Sequence, residues 1–143
     1  MFSLGLFTWV PWLIYGAYFS VLLLMILAAV QDYKTREVSN WITIPIFISG
    51  VVVMCVSRPP LAIIVSLILL FIWHKGWMGG ADVKALVGLL GIWSTAALVS
   101  IFTIGVQGLI TRLRGKKSAP GLVAIAAGVG LTYLWEISIM FLN

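Results

Sequence analysis

The chain contains two aspartates, Asp32 and Asp82, and each has a lysine two positions on, Lys34 and Lys84. Both close or open a long apolar stretch in a chain that is 62% hydrophobic and 9% charged. A carboxylate beside a membrane is costly and marks a functional site by default. Two carboxylates that meet cannot easily both ionise, so one holds a proton while the other can act as a base. That is the equipment for acid/base hydrolysis of a peptide bond. Plainer readings stand beside this one. Arg36 lies four residues after Asp32 and could pair with it along one helical face, a contact worth only ~0.2–0.5 kcal/mol. Asp82 follows Gly79-Gly80-Ala81 and could cap the helix that begins there.

Gly79 and Gly80 would let an extended peptide lie beside Asp82, since a backbone without side chains turns tightly and admits another backbone. With Lys34 and Lys84 they are the expected substrate contacts, and Glu37 is a further candidate on the same side. His74 has no second histidine to build a metal site. The sole cysteine, Cys55, can form neither an internal disulfide nor a cysteine-rich zinc site and is expected to pack in an apolar run. No metal and no cofactor are expected. Glu136 reads as a charge at the opposite end of the chain's last helix.

The elements that must position these residues follow from hydropathy. A mean hydropathy of +1.16 is that of a helical membrane protein. Residues 1–31 carry no charge, so there is no basic segment of a secretory signal, and the first run is expected to stay as a membrane helix. Apolar runs cover residues 11–31, 41–57 and 61–73, with Trp9, Trp12 and Tyr15 as an interfacial belt. Arg58-Pro59-Pro60 closes the second run, because proline cannot continue a helix. Residues 85–111 lack formal charge. As one helix they would rise about 40 Å and separate the basic residues onto two faces. A break near residues 91–94 avoids this, giving helices over 82–93 and 95–113, and a last one over 120–141. The expected fold is an all-α polytopic bundle of about six transmembrane helices in one domain, both termini outside. The net charge of +5 then lies in the loops after helices one, three and five, except for Arg58. This is an orientation signal and a lipid contact; no nucleic-acid partner is expected.

Asp32-Tyr33-Lys34-Thr35-Arg36-Glu37-Val38-Ser39-Asn40 after a first membrane helix and Gly79-Gly80-Ala81-Asp82-Val83-Lys84 after a third resemble the type IV prepilin peptidases. These are membrane aspartyl proteases of the GxGD class, which includes the archaeal preflagellin peptidases. Lys117-Ser118-Ala119-Pro120, with Gly128 beyond, is similar to the family's basic loop and helix start. The resemblance covers roughly residues 15–130 and rests on the order and spacing of the two aspartate motifs. Ala81 replaces the motif's second glycine, and Val123 a common proline.

The resemblance implies that Asp32 and Asp82 form a catalytic dyad near the cytoplasmic face of the cell membrane. Its substrate would be a pilin-like or archaellin precursor, cut between a short basic leader and an apolar helix. The longer members' zinc-bearing domain and N-methyltransferase activity are not expected in a chain with one cysteine. Helix polarity suggests Asp82, at a helix N-terminus, as the base and Asp32, near a C-terminus, as the acid. A non-enzymatic assembly or transport component is the rival reading, and a presenilin-like protease of other membrane helices a third. The oligomeric state is left open.

Overall fold

The computed structural model describes residues 4–57, 59–115 and 119–142, with side chains from Trp12 onward. Arg58 of the proline turn, Lys116 of the basic run, Lys117 and Ser118 of the third motif, and the side chain of Trp9 lie outside the described residues. The described elements are six helices: α1 (Leu4–Thr35), α2 (Asn40–Ser57), α3 (Pro60–His74), α4 (Gly80–Ile92), α5 (Ser94–Leu113) and α6 (Gly121–Leu142). Four stretches are long and apolar enough to cross a membrane: Trp12–Thr35 within α1, and α2, α5 and α6 in full. The protein is thus an all-α multi-pass membrane protein. At 13 residues, α4 rises only about 20 Å and lies outside those four.

Local chemistry explains the boundaries. Nothing in Gln31-Asp32-Tyr33-Lys34 breaks a helix, so α1 runs past its apolar stretch to Thr35. Arg36 then takes a left-handed φ of 58°, and its N–H donates to the Asp32 carbonyl at 3.0 Å. Arg36 is exposed, and among the described residues no ion pair joins it to Asp32. The returning chain is clipped to α1, because the Ser39 N–H donates to Gln31 Oε1 at 3.0 Å. Pro60 occupies the first position of α3, where its missing N–H costs nothing. Trp93, at φ −150° and ψ 78°, separates α4 from α5 within the expected break.

The core is built around α4. Val83 and every residue from Ala85 to Leu90 are buried, so this helix is enclosed on all faces. A helix so surrounded needs neighbours that approach closely, and glycines permit it. A Cβ on Gly88 would come within 2.5 Å of the Ile46 carbonyl oxygen, and Cβ atoms on Gly50 or Gly91 would overlap backbone of the opposing helix. Here α2 and α4 touch backbone to backbone and run parallel, with Asn40 against Lys84 and Ile46 against Gly88. Small-residue seams of this kind carry helix association in lipid, where dispersion and close packing replace the hydrophobic drive. A second seam joins α5 to α6: Gly128 abuts Ser100, whose hydroxyl donates to the Ile125 carbonyl at 3.1 Å.

At the far end of the bundle Trp93 stacks on Tyr18 with ring centroids 4.1 Å apart, and its Nε1–H donates to Glu136 Oε1 at 2.8 Å. This contact ties α1, the α4–α5 junction and α6 together at one end. Cys55, expected to pack, is instead exposed on α2, beside a groove shared with α3.

The seam makes a prediction. Gly88→Ala should destabilise the protein by ~2 kcal/mol or more, because the added methyl meets backbone that cannot move aside. Gly16→Ala, where no atom lies within 4 Å, should stay within ~1 kcal/mol of the parent. Thermal melting in detergent micelles compares the two.

Candidate active site

Asp32 lies on the last turn of α1 and Asp82 in the first turn of α4. Helix α4 is capped by Gly79, so Asp82 is its third residue and does not serve as the N-cap. The free end of α6 joins the two. The Leu122 N–H donates to Asp32 Oδ2 at 3.2 Å. Its neighbour Gly121 faces Asp82 so closely that a Cβ there would stand 2.6 Å from the carboxylate carbon. Both carboxylates therefore converge on residues 121 and 122, from two helices 50 positions apart in the chain, by the difference between 82 and 32. Helix α6 begins at Gly121, directly after Pro120, and the N–H groups of its first turn have no partner within the helix. One of them is the donor to Asp32.

Electrostatics separate the pair. Burial of the Asp82 carboxyl, reinforced by the charge of Asp32, pushes it up from the ordinary 3.8 to about 6. The positive end of α4 acts in the opposite direction. Withdrawal from solvent is the first cause of the rise, an influence that helix polarity alone leaves out. Helix polarity as read from the sequence also overlooked that the N-terminus of α6, rather than only the C-terminus of α1, faces Asp32.

Asp82 opens onto a cavity of about 360 Å³ between the start of α4, the end of α5 and the start of α6. Its polar lining comes from Gln107, Thr111 and Arg112, and Trp77 and Met78 form part of its wall. Sequence reasoning had set Arg112 aside as an orientation signal and had not considered Gln107, Thr111 or Gly121. For Gln107 a signal existed: it is the one amide side chain in the apolar stretch 85–111.

The remaining expected contacts divide. Gly79 lines the cavity, and a Cβ on it would sit 3.2 Å from Asp82 Oδ2. Gly80 instead backs onto Trp73, whose Nε1 would lie 3.1 Å from an added Cβ. The Lys84 ammonium donates to Asn40 Oδ1 at 2.9 Å and so fastens the N-terminal part of α4 to the first residue of α2. Lys34 is exposed on the last turn of α1, and Glu37 is exposed in the loop beyond it. Glu136 is bound to Trp93 at the other end of the bundle.

These features are those of a multi-pass helical membrane protein with two carboxylates gathered at one end of its bundle. A family model, that of the type IV leader peptidase family, matches residues 19–134. The chain belongs to this family of peptidases, whose substrates are proteins with leader peptides. No curated protein and no solved structure matched the chain.

The Gly121 contact is testable. Gly121→Ala should lower peptidase activity at least ~100-fold, because the methyl displaces the Asp82 carboxylate by about an ångström from its partner. The melting temperature should shift far less than in Gly88→Ala, since the clash meets a side chain at the rim and not packed backbone. Activity and thermal melting of the purified variant check both statements.

Proposed function

We propose that the protein is an aspartyl endopeptidase that removes the short basic leader from pilin-like or archaellin precursors at the cytoplasmic face of the cell membrane. The observation that supports this reading best is the convergence of Asp32 and Asp82 on the first turn of α6, beside a cavity of about 360 Å³. The end of the bundle that holds them also carries Lys34, Arg36, Lys75, Lys84, Arg112 and Arg114, at the ends of α1, α3 and α5 and the start of α4. Positive charge concentrates in cytoplasmic loops, so this end faces the cytoplasm.

The pair works with one shared proton. Asp82, the carboxyl with the raised pKa, holds it at rest, and Asp32 is the base. This reverses the assignment that helix polarity suggested. A water between the carboxylates gives a proton to Asp32 as its oxygen bonds to the scissile carbonyl carbon. Asp82 donates its proton to the carbonyl oxygen, which gives a neutral tetrahedral diol. Asp32 then passes the proton it took to the leaving nitrogen, the C–N bond breaks, and Asp82 recovers a proton from a diol hydroxyl. Both carboxyls end as they began. Gly79 leaves the cleft beside Asp82 open to an extended peptide backbone.

In the rival non-enzymatic reading the aspartates would be salt-bridged at the interface. Against it, the Asp32–Arg36 pairing that sequence spacing offered is not made among the described residues. Asp32→Asn and Asp82→Asn should each abolish cleavage of a pilin-like or archaellin precursor, read as loss of the mass-shifted product; normal cleavage by either variant would sink the proposal. The pH dependence has a definite sign. Asp82 must be protonated to donate, so kcat/KM should fall as pH rises through about 6. A rate that climbs across that region would contradict the roles given to the two carboxyls.

A further inference from the structure

The cavity beside Asp82 has an apolar neighbour. A groove of about 340 Å³ runs along α5 and α6, lined by Phe102, Val106 and Ile110 from one helix and Val123 and Ala127 from the other. It starts two residues beyond Gly121, at Val123. Gln107 lines both the groove and the Asp82 cavity. The two spaces are thus one track, polar at Asp82 and apolar along α5–α6, with an amide at the change. A larger groove of about 500 Å³ between α2 and α3 shares no lining residue with the cavity.

No hydrogen bond among the described residues gives the Gln107 side chain a structural duty. Its backbone carbonyl accepts from Thr111 Oγ1 at 2.7 Å, but its half-buried side-chain amide has no hydrogen-bond partner among the described residues. A polar group in an apolar setting is costly unless it is satisfied. The nearby hydroxyl of Thr103 is already satisfied by the Ala124 carbonyl at 2.8 Å. An amide offers both a donor and an acceptor, which is what an unwound peptide backbone requires when it enters a membrane.

We infer that the α5–α6 groove seats the apolar helix of the precursor, and that Gln107 bonds the substrate backbone where that helix unwinds toward Asp82. This rests on the peptidase reading above. The polar-to-apolar order of the track matches a chain whose leader lies in the cavity and whose following segment is a membrane helix. Gln107 is then a positioning residue, acting on the peptide that the two aspartates cut.

Site-specific photo-cross-linking tests it. Benzoylphenylalanine is placed at Val106, at Ala127, or at Leu67 in the α2–α3 groove, each in an Asp82→Asn background, and mixed with a panel of pilin-like and archaellin precursors. Adducts at Val106 and Ala127, mapped to the precursor's apolar segment, are expected, with Leu67 silent. Adducts at Leu67, or none at the α5–α6 positions, would overturn the inference. The otherwise unmodified protein is assayed on the same panel. Cleavage there without α5–α6 adducts removes the docking site and leaves the peptidase standing; no cleavage of any precursor removes both. As a second measure, Ala127→Phe should cut kcat/KM about tenfold for a precursor with its helix, and less for its soluble leader peptide. Equal loss on the two substrates counts against the groove.

Discussion

The backbone contact between α2 and α4 is the constraint on which the rest of the protein depends. Gly50, Gly88 and Gly91 let two helices approach until only main chain lies between them. A short helix with no lipid-facing side can then occupy the centre of the bundle, with its first turn held at a fixed height. Lys84 reinforces this by donating to Asn40. Asp82 owes its position to that seam, because it sits in the first turn of a helix that has no freedom to slide.

The same enclosure sets the chemistry. A carboxyl on a lipid-exposed helix end would meet headgroup water. On the first turn of an enclosed helix it loses solvent and faces a second carboxyl, and both effects favour the protonated form. Asp32 meets a backbone N–H from the open end of α6 instead. Two chemically identical side chains thus have unlike surroundings, and the unlike roles proposed for them rest on that difference. The far end of the bundle holds the geometry in place: Trp93, bound to Tyr18 and Glu136, joins the three helices that carry Asp32, Asp82 and Leu122. A charge that looked peripheral in the sequence is a strut between helices.

Much of this was legible beforehand because membrane segments declare themselves. Long apolar runs, proline turns and clustered basic residues have one economical arrangement in a bilayer, and the break at Trp93 was readable from the imbalance of charge that a single long helix would create. The aspartate motifs led to the correct family for a related reason: a costly residue in an apolar chain is kept where it has a use. Other features were hidden. That Gly80 packs on Trp73, that Lys84 serves Asn40 and that Gly121 makes room for Asp82 are matters of which side of a helix faces which neighbour. Helices that are apolar all round carry no periodicity to reveal it.

The sequence by itself determined the class of protein, the number and order of its helices and the identity of its two exceptional carboxylates, since each depends on local composition and spacing. Only the tertiary structure decided that both carboxylates abut the first turn of α6, that burial raises the Asp82 carboxyl, and that Gln107 stands between a polar cavity and an apolar groove. Those properties arise from contacts between residues far apart in the chain. The physical reason is that solvent exclusion and helix-end polarity act through space, and the space around each aspartate is made by other helices.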